Sequence, residues 1–194
     1  MLALLETLVL ILLPALALDA APPVPRVVGT TGGAREAVCL AADRDDLWVG
    51  TRGGVLLHRS GSSRRLGASD GLPGNRVTDC RLHQGRLWVA TEAGLAVLAP
   101  GGARFDTILA GRFLRLAASG ERLLVARDDG RIFHLIPTAT GAALRKVDIL
   151  EAPPLSLSGV PGGGYAAGMA DGRLRLGDGA TLELGAPLIG LVTD

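Results

Sequence analysis

His58, His83 and His134 are the only histidines, and with an ordinary pKa near 6.5 they are the first candidates for proton transfer or metal binding. His58 follows Gly54 by four residues, and His134 follows Gly130 by four. They therefore hold equivalent places in separate repeat units, and a paired histidine metal site is not expected. All three read as solvated strand or turn residues. The carboxylates gather in short groups: Asp43, Asp45 and Asp46, then Asp128 and Asp129, then Asp171 and Asp178. Short acidic side chains suit tight turns, and none of these groups has the alternating spacing of a calcium loop. A glycosidase needs two carboxylates facing each other across a cleft, a relation that spacing alone does not reveal. There is no G-x-S-x-G and no Walker-type loop. Gly162-Gly163-Gly164 precedes an extended stretch, not a helix, which disfavours a phosphate cradle. No catalytic residue, metal ligand or cofactor is expected. The best candidates for ligand binding are Arg52, Glu92, Arg127 and Asp128, which recur at one position of a repeat, where the fourth unit has Ala170. Together they could hold a polar or anionic ligand; the plainer alternative is a set of solvated turn charges.

Charge excludes one class of partner. Twenty basic residues face 19 acidic ones in 194, for a net charge of +1, so nucleic acid is not an expected partner. The six aromatic residues leave little material for a sugar-stacking cleft. Glycine, at 28 residues, punctuates a fold.

The stretch Leu8–Leu18 is apolar throughout, and Ala15-Leu16-Ala17 within it has the small-x-small form of a signal-peptidase site. It is too short for a transmembrane helix, which takes about 20 residues. No Lys or Arg precedes Arg26, and Glu6 adds an acid, so an uncleaved anchor or a buried helix stay open beside the secretory signal. The expectation is a periplasmic or secreted protein with no membrane span apart from that segment. Cys39 and Cys80 are the only cysteines. Repeat alignment sets them one position out of step, on strand positions facing opposite sides. A bridge between them is therefore expected to be awkward, and two small buried or half-buried thiols are preferred.

The elements that position these residues follow from internal repetition. Residues 47–55 read LWVGTRGGV and residues 87–95 read LWVATEAGL. Weaker echoes are LLVARDDGR at 123–131 and YAAGMADGR at 165–173. Within the second unit, strands are expected over Val77–Leu82, Arg86–Thr91, Leu95–Ala99 and Arg104–Leu109, with turns between. Four short strands in about 40 residues match a propeller blade. Helical repeats of similar length would need longer runs free of glycine. A blade buries both faces only when neighbours pack on it, so Trp48 and Trp88 are expected between blades.

The stretch DGLPGNRVTDCRLHQGRLWVATEAGLAVL, Asp70–Leu98, resembles the two-component-regulator propeller repeat, G-L-P-x-N-x-V followed by G-x-L-W-[IV]-[GA]-T-x-x-G-L. Gly71, Leu72, Pro73, Asn75, Val77, Gly85, Leu87, Trp88, Val89, Thr91, Gly94 and Leu95 carry the match. Unit one keeps the L-W-V-G-T-x-x-G core; Leu124 and Ala166 replace Trp in units three and four. The resemblance implies a β-propeller of the kind found in periplasmic sensor regions of bacterial hybrid histidine kinases, several of which recognise glycan fragments.

The expected fold is all-β, a β-propeller-type array of about four four-stranded blades, partial or imperfectly closed, after an N-terminal signal segment. Residues 1–22 form that segment and 23–36 the N-terminal strand of a shared blade. Blade units cover 37–76, 77–112, 113–154 and 155–187, and 188–194 begins an incomplete blade. Missing blades on another polypeptide or on the remainder of a longer chain, an open or imperfectly closed arc of four to five blades, and closure by self-association are three readings of such an array. The expected function is an exported, non-enzymatic ligand- or protein-binding sensing module, with a glycan, another polar ligand or a protein as partner. A propeller-type lyase or hydrolase and a structural fragment of a longer protein are the alternatives.

Overall fold

The computed structural model describes residues 36–138, 141–160 and 162–190. The expected signal segment, the strand expected within 23–36, and residues 191–194 of the incomplete blade lie outside these. The described residues form sixteen β-strands and one 3-10 turn, Ala68–Asp70, without an α-helix. The strands make four antiparallel four-stranded sheets, each in simple sequential order. The first holds β1 (Ala37–Asp43), β2 (Asp46–Thr51), β3 (Gly54–Arg59) and β4 (Ser62–Leu66). The second holds β5 (Val77–His83), β6 (Arg86–Thr91), β7 (Gly94–Leu98) and β8 (Asp106–Ala110). The third holds β9 (Phe113–Ser119), β10 (Arg122–Arg127), β11 (Arg131–Thr138) and β12 (Gly141–Ile149). The fourth holds β13 (Ser156–Val160), β14 (Gly164–Gly168), β15 (Arg173–Leu176) and β16 (Thr181–Glu183).

The first strands β1, β5, β9 and β13 contact one another in succession, forming a hub from which each sheet fans outward. The sheets are therefore successive blades. Middle strands are apolar on both sides because a blade lies on each: RLWVAT in β6 is buried after its first residue, and GLAVL in β7 throughout. The rim strand β4, SSRRL, is exposed except at Leu66. Three apolar seams hold the array. Trp48, Val55 and Leu66 meet Cys80, Leu87, Val89 and Leu98. Trp88, Leu95 and Val97 meet Phe113, Leu116, Val125 and Leu135. Leu124, Ala126 and Ile132 meet Leu157, Tyr165 and Ala167. The tryptophans thus sit where the repeat predicts, and Leu124 takes their place in the third blade.

The equivalent glycines Gly54, Gly94, Gly130 and Gly172 follow the turn between second and third strands, where the chain leaving the rim passes against them. A Cβ on Gly130 would meet the Leu150 carbonyl oxygen at 2.5 Å, and one on Gly94 the Leu109 oxygen at 2.6 Å. Any side chain would push that backbone away.

One expectation is corrected. Cys39 and Cys80 form a disulfide, with Cα atoms 5.7 Å apart. Equivalent positions point the same way around a radial array. The side of blade one that faces blade two is therefore met by the opposite side of blade two, and a bridge between neighbours requires positions one step apart. Gly50, paired with Cys39 across β1 and β2, makes the room. A Cβ there would collide with Cys39 Sγ and come within 2.8 Å of Val77.

Candidate functional site

In every blade the second-to-third-strand turn and the link to the next blade lie at the same end, because the antiparallel sheets run in sequential order. Arg52, Glu92, Arg127 and Asp128 all sit in or beside those turns and so share one end of the array. The first two turns are built alike. Thr51 Oγ1 donates to the Gly54 carbonyl at 2.7 Å and accepts from the Gly53 amide at 3.1 Å. Thr91 Oγ1 donates to the Gly94 carbonyl and accepts from the amides of Ala93 and Gly94. Both threonines are buried, so the hydroxyl fixes the turn from inside. The Glu92 amide donates to the Arg76 carbonyl, and that of Asp128 to the Arg112 carbonyl, tying each turn to the link before its hub strand.

The four candidates share an end without converging on one another. Arg52 pairs with Glu36 at 2.6 Å. Glu92 is shared by Arg76 at 3.1 Å and Arg112 at 3.5 Å. Arg127 lies 3.9 Å from Asp129, which Arg131 holds at 2.8 Å. Asp128 is exposed. In blade four, Arg173 bridges Asp171 and Glu151. The face is thus a row of alternating arginine–carboxylate clusters, most of them well exposed. Burial pushes the Asp129 carboxyl up, but the Arg131 amide and the Arg127 and Arg131 guanidiniums outweigh it and hold the group below the usual carboxylate range. Asp129 and Asp171 also accept the amide two residues on, a turn-forming bond. Among the described residues no group of three His, Cys, Asp or Glu could hold a metal ion.

A second concavity lies at the hub, a cleft of about 370 Å³ bordered by Val38, Thr78, Asp79, Arg115, Ser156 and Ile189. Its polar groups knit blades together. Thr78 Oγ1 donates to the Phe113 carbonyl at 2.6 Å. Asp79 accepts from the Cys80 and Leu116 amides, both at 2.8 Å. Arg115 donates to the Leu155 carbonyl at 2.5 Å, and Ser156 to that of Leu188 at 2.8 Å. Burial raises the Asp79 pKa against the pull of these amides and of Arg115 and Arg81. Sequence reasoning passed over these residues; the only signal was their shared place, second or third in each unit.

The histidines divide. His58 bonds Ser63, and His83 lies 3.1 Å from the Glu121 carbonyl oxygen, both at exposed sites. His134 departs from the solvated expectation: it is 5% exposed, and its Nδ1 accepts from Arg145 at 3.3 Å. Burial, with Arg122 and Arg145 nearby, lowers its pKa. His134 lies in β11, the third strand of an inner blade, where Ile132 and Leu135 are buried with it.

No protein-family model matches the chain, and no curated protein does. Solved structures match its fold. The extracellular domain of the putative hybrid two component system BT4673 from B. thetaiotaomicron is similar at 16% identity and a TM-score of 0.67, over 82% of this chain and 25% of that one. The RRP9 WD40 repeats match at 12% identity and a TM-score of 0.62, over 78% and 52%. The computationally designed Ika4 protein matches at 18% and 0.61, over 78% and 96%. The chain is all-β and propeller-like, and it spans about a quarter of the length of the BT4673 domain. No helix among the described residues is long and apolar enough to cross a membrane.

Proposed function

We propose that the chain works outside the cytoplasm as a non-enzymatic binding module of the sensing kind, taking a glycan fragment or another polar ligand on its loop face. The observation that carries this is the repeated presentation of Arg52, Glu92 and Arg127–Asp128 at one end of stacked, disulfide-clasped blades. Loops on a rigid scaffold are a common place for recognition. A ligand rich in hydroxyl or carboxylate groups can replace one partner of an exposed ion pair at little cost, since such pairs contribute only about 0–1 kcal/mol. Likeness to the extracellular domain of a putative hybrid two component system supports the sensing part. The Cys39–Cys80 bridge supports an oxidising compartment.

A thermal-shift screen of neutral and acidic oligosaccharides against the purified chain tests the proposal. Binding raises Tm by mass action, and Arg52→Ala or Arg127→Ala should remove the shift while leaving the unliganded Tm nearly unchanged. A screen without any shift, or a shift indifferent to both substitutions, contradicts it.

A further inference from the structure

Trp48 is 6% exposed, and its indole N–H, buried with it, meets no acceptor among the described residues. Buried donors are ordinarily paired, so one left open marks a place where an acceptor belongs. Trp48 lines a pocket of about 70 Å³ in the seam between blades one and two, at the end of the array opposite the loop face. Turns build this pocket. Asp43 and Asp46 flank the link from β1 to β2, Gly85 lies between β5 and β6, and Leu98 and Pro100 lead the chain from β7 towards β8. Both walls belong to described blades, and neither is an end face of the array. Asp43, Gly85 and Pro100 are exposed and leave the mouth open.

The polar groups narrow the choice of ligand. Both Asp46 oxygens accept from Arg59, so that pair is closed on itself. Asp43 is exposed and forms no ion pair among the described residues. The pocket therefore offers one free donor, the Trp48 N–H, one free acceptor, the Asp43 carboxylate, and an apolar wall of Leu98 and Pro100. An anionic ligand would meet two aspartates. An ammonium would meet Arg59 and leave the indole unsatisfied. A secondary acetamide complements every part: its carbonyl oxygen accepts from Trp48, its N–H donates to Asp43, and its methyl packs on Leu98 and Pro100. The volume is about twice one water's share of the liquid, about 30 Å³, which suits such a group and is too small for a sugar ring. An adjoining cleft of about 240 Å³ shares Arg59, Gly101 and Gly102 with the pocket and adds Ser62 and Arg64, donors suited to ring hydroxyls.

We propose that this seam binds an N-acetylated amino sugar, with the acetamido group seated against Trp48 and the ring in the adjoining cleft. The site lies at the opposite end from Arg52 and Arg127 and is independent of the loop face.

Saturation-transfer NMR on the full oxidised chain with N-acetylglucosamine, glucosamine and glucose tests this. N-acetylglucosamine should give saturable transfer, strongest at the acetyl methyl, and the other two sugars should bind at least about tenfold more weakly. Trp48→Phe keeps a ring in the seam and removes the N–H; Asp43→Ala removes the acceptor at an exposed position, and so tests the site even where Trp48→Phe loosens the seam. Each should weaken binding by about tenfold or more, while Arg52→Ala leaves it unchanged. Tryptophan emission, which comes from Trp48 and Trp88 alone, should change on titration of the wild type and stay constant in Trp48→Phe. Absence of saturable binding overturns the proposal, as does equal binding of glucose or glucosamine, or binding unaltered by both Trp48→Phe and Asp43→Ala. Binding removed by Arg52→Ala also overturns it, because the sugar then sits on the loop face.

Discussion

Cys39, Asp79 and Arg115 hold one repeat position, third in its unit, and solve one problem with three chemistries. Cys39 bonds Cys80 covalently, Asp79 accepts the Leu116 amide, and Arg115 donates to the Leu155 carbonyl. Each ties its hub strand to the next. Asp79→Ala would leave two amides without an acceptor, and a loss of about 1–3 kcal/mol is expected for each if left buried and unsatisfied. Urea denaturation checks this, and a change within error would show that the hub stands on apolar packing alone. His134 gives a pH signature. Its pKa is lowered in the fold, so the unfolded chain binds the proton more readily, and stability is lost as pH falls through its ordinary value of 6.5. Thermal melts from pH 7.5 to 5 should show a shallower decline for His134→Leu than for the wild type; parallel curves would mean the histidine titrates freely. None of these roles is legible from residue type alone. A lone aspartate in a strand gives no hint that it spans blades, and the position of His134 reveals burial only once the ring order is known.

At the scale of the element, a blade is an incomplete object. Its middle strands are apolar on both sides, so stability lies in the seams. Trp88, 6% exposed, fills the seam between the second and third blades. Trp88→Ala is expected to cost about 3–5 kcal/mol, measurable as a fall in the urea midpoint without a change in slope. Strand positions, turn glycines and tryptophan seams were all legible, because alternation and glycine spacing are local consequences of pleat and turn. The charged site was legible only as a shared end. That the four side chains reach a common face follows from strand order, whereas their separate ion pairs depend on Glu36, Arg76 and Arg112, which lie outside the repeat core. The disulfide departs from strand parity for a related reason: parity asks two bonded cysteines to share a face, whereas neighbouring blades meet through opposite ones.

For the whole molecule, the clasp at one end matters most, because blade one has a described neighbour on one side only. The Cys39–Cys80 bridge closes a sequence separation of 41 residues across the first seam. Chain entropy for such a loop gives about 2–4 kcal/mol of stabilisation. Reduction, or Cys39→Ser with Cys80→Ser, should lower Tm and raise hydrogen exchange first in β1 to β4. Uniform exchange across all four sheets would mean that the blades unfold as a unit whatever the clasp. The central claim is that the repeats are equivalent wedges of a radial array. The most direct measurement moves the clasp one blade along: in a Cys39→Ser, Cys80→Ser background, Asp79→Cys is combined with Leu116→Cys, and separately with Arg115→Cys. Peptide mapping by mass spectrometry under non-reducing conditions should find an intramolecular 79–116 bridge in the first protein and free thiols in the second. Free thiols in the first protein, or equal bridging in both, would contradict a radial arrangement of these strands.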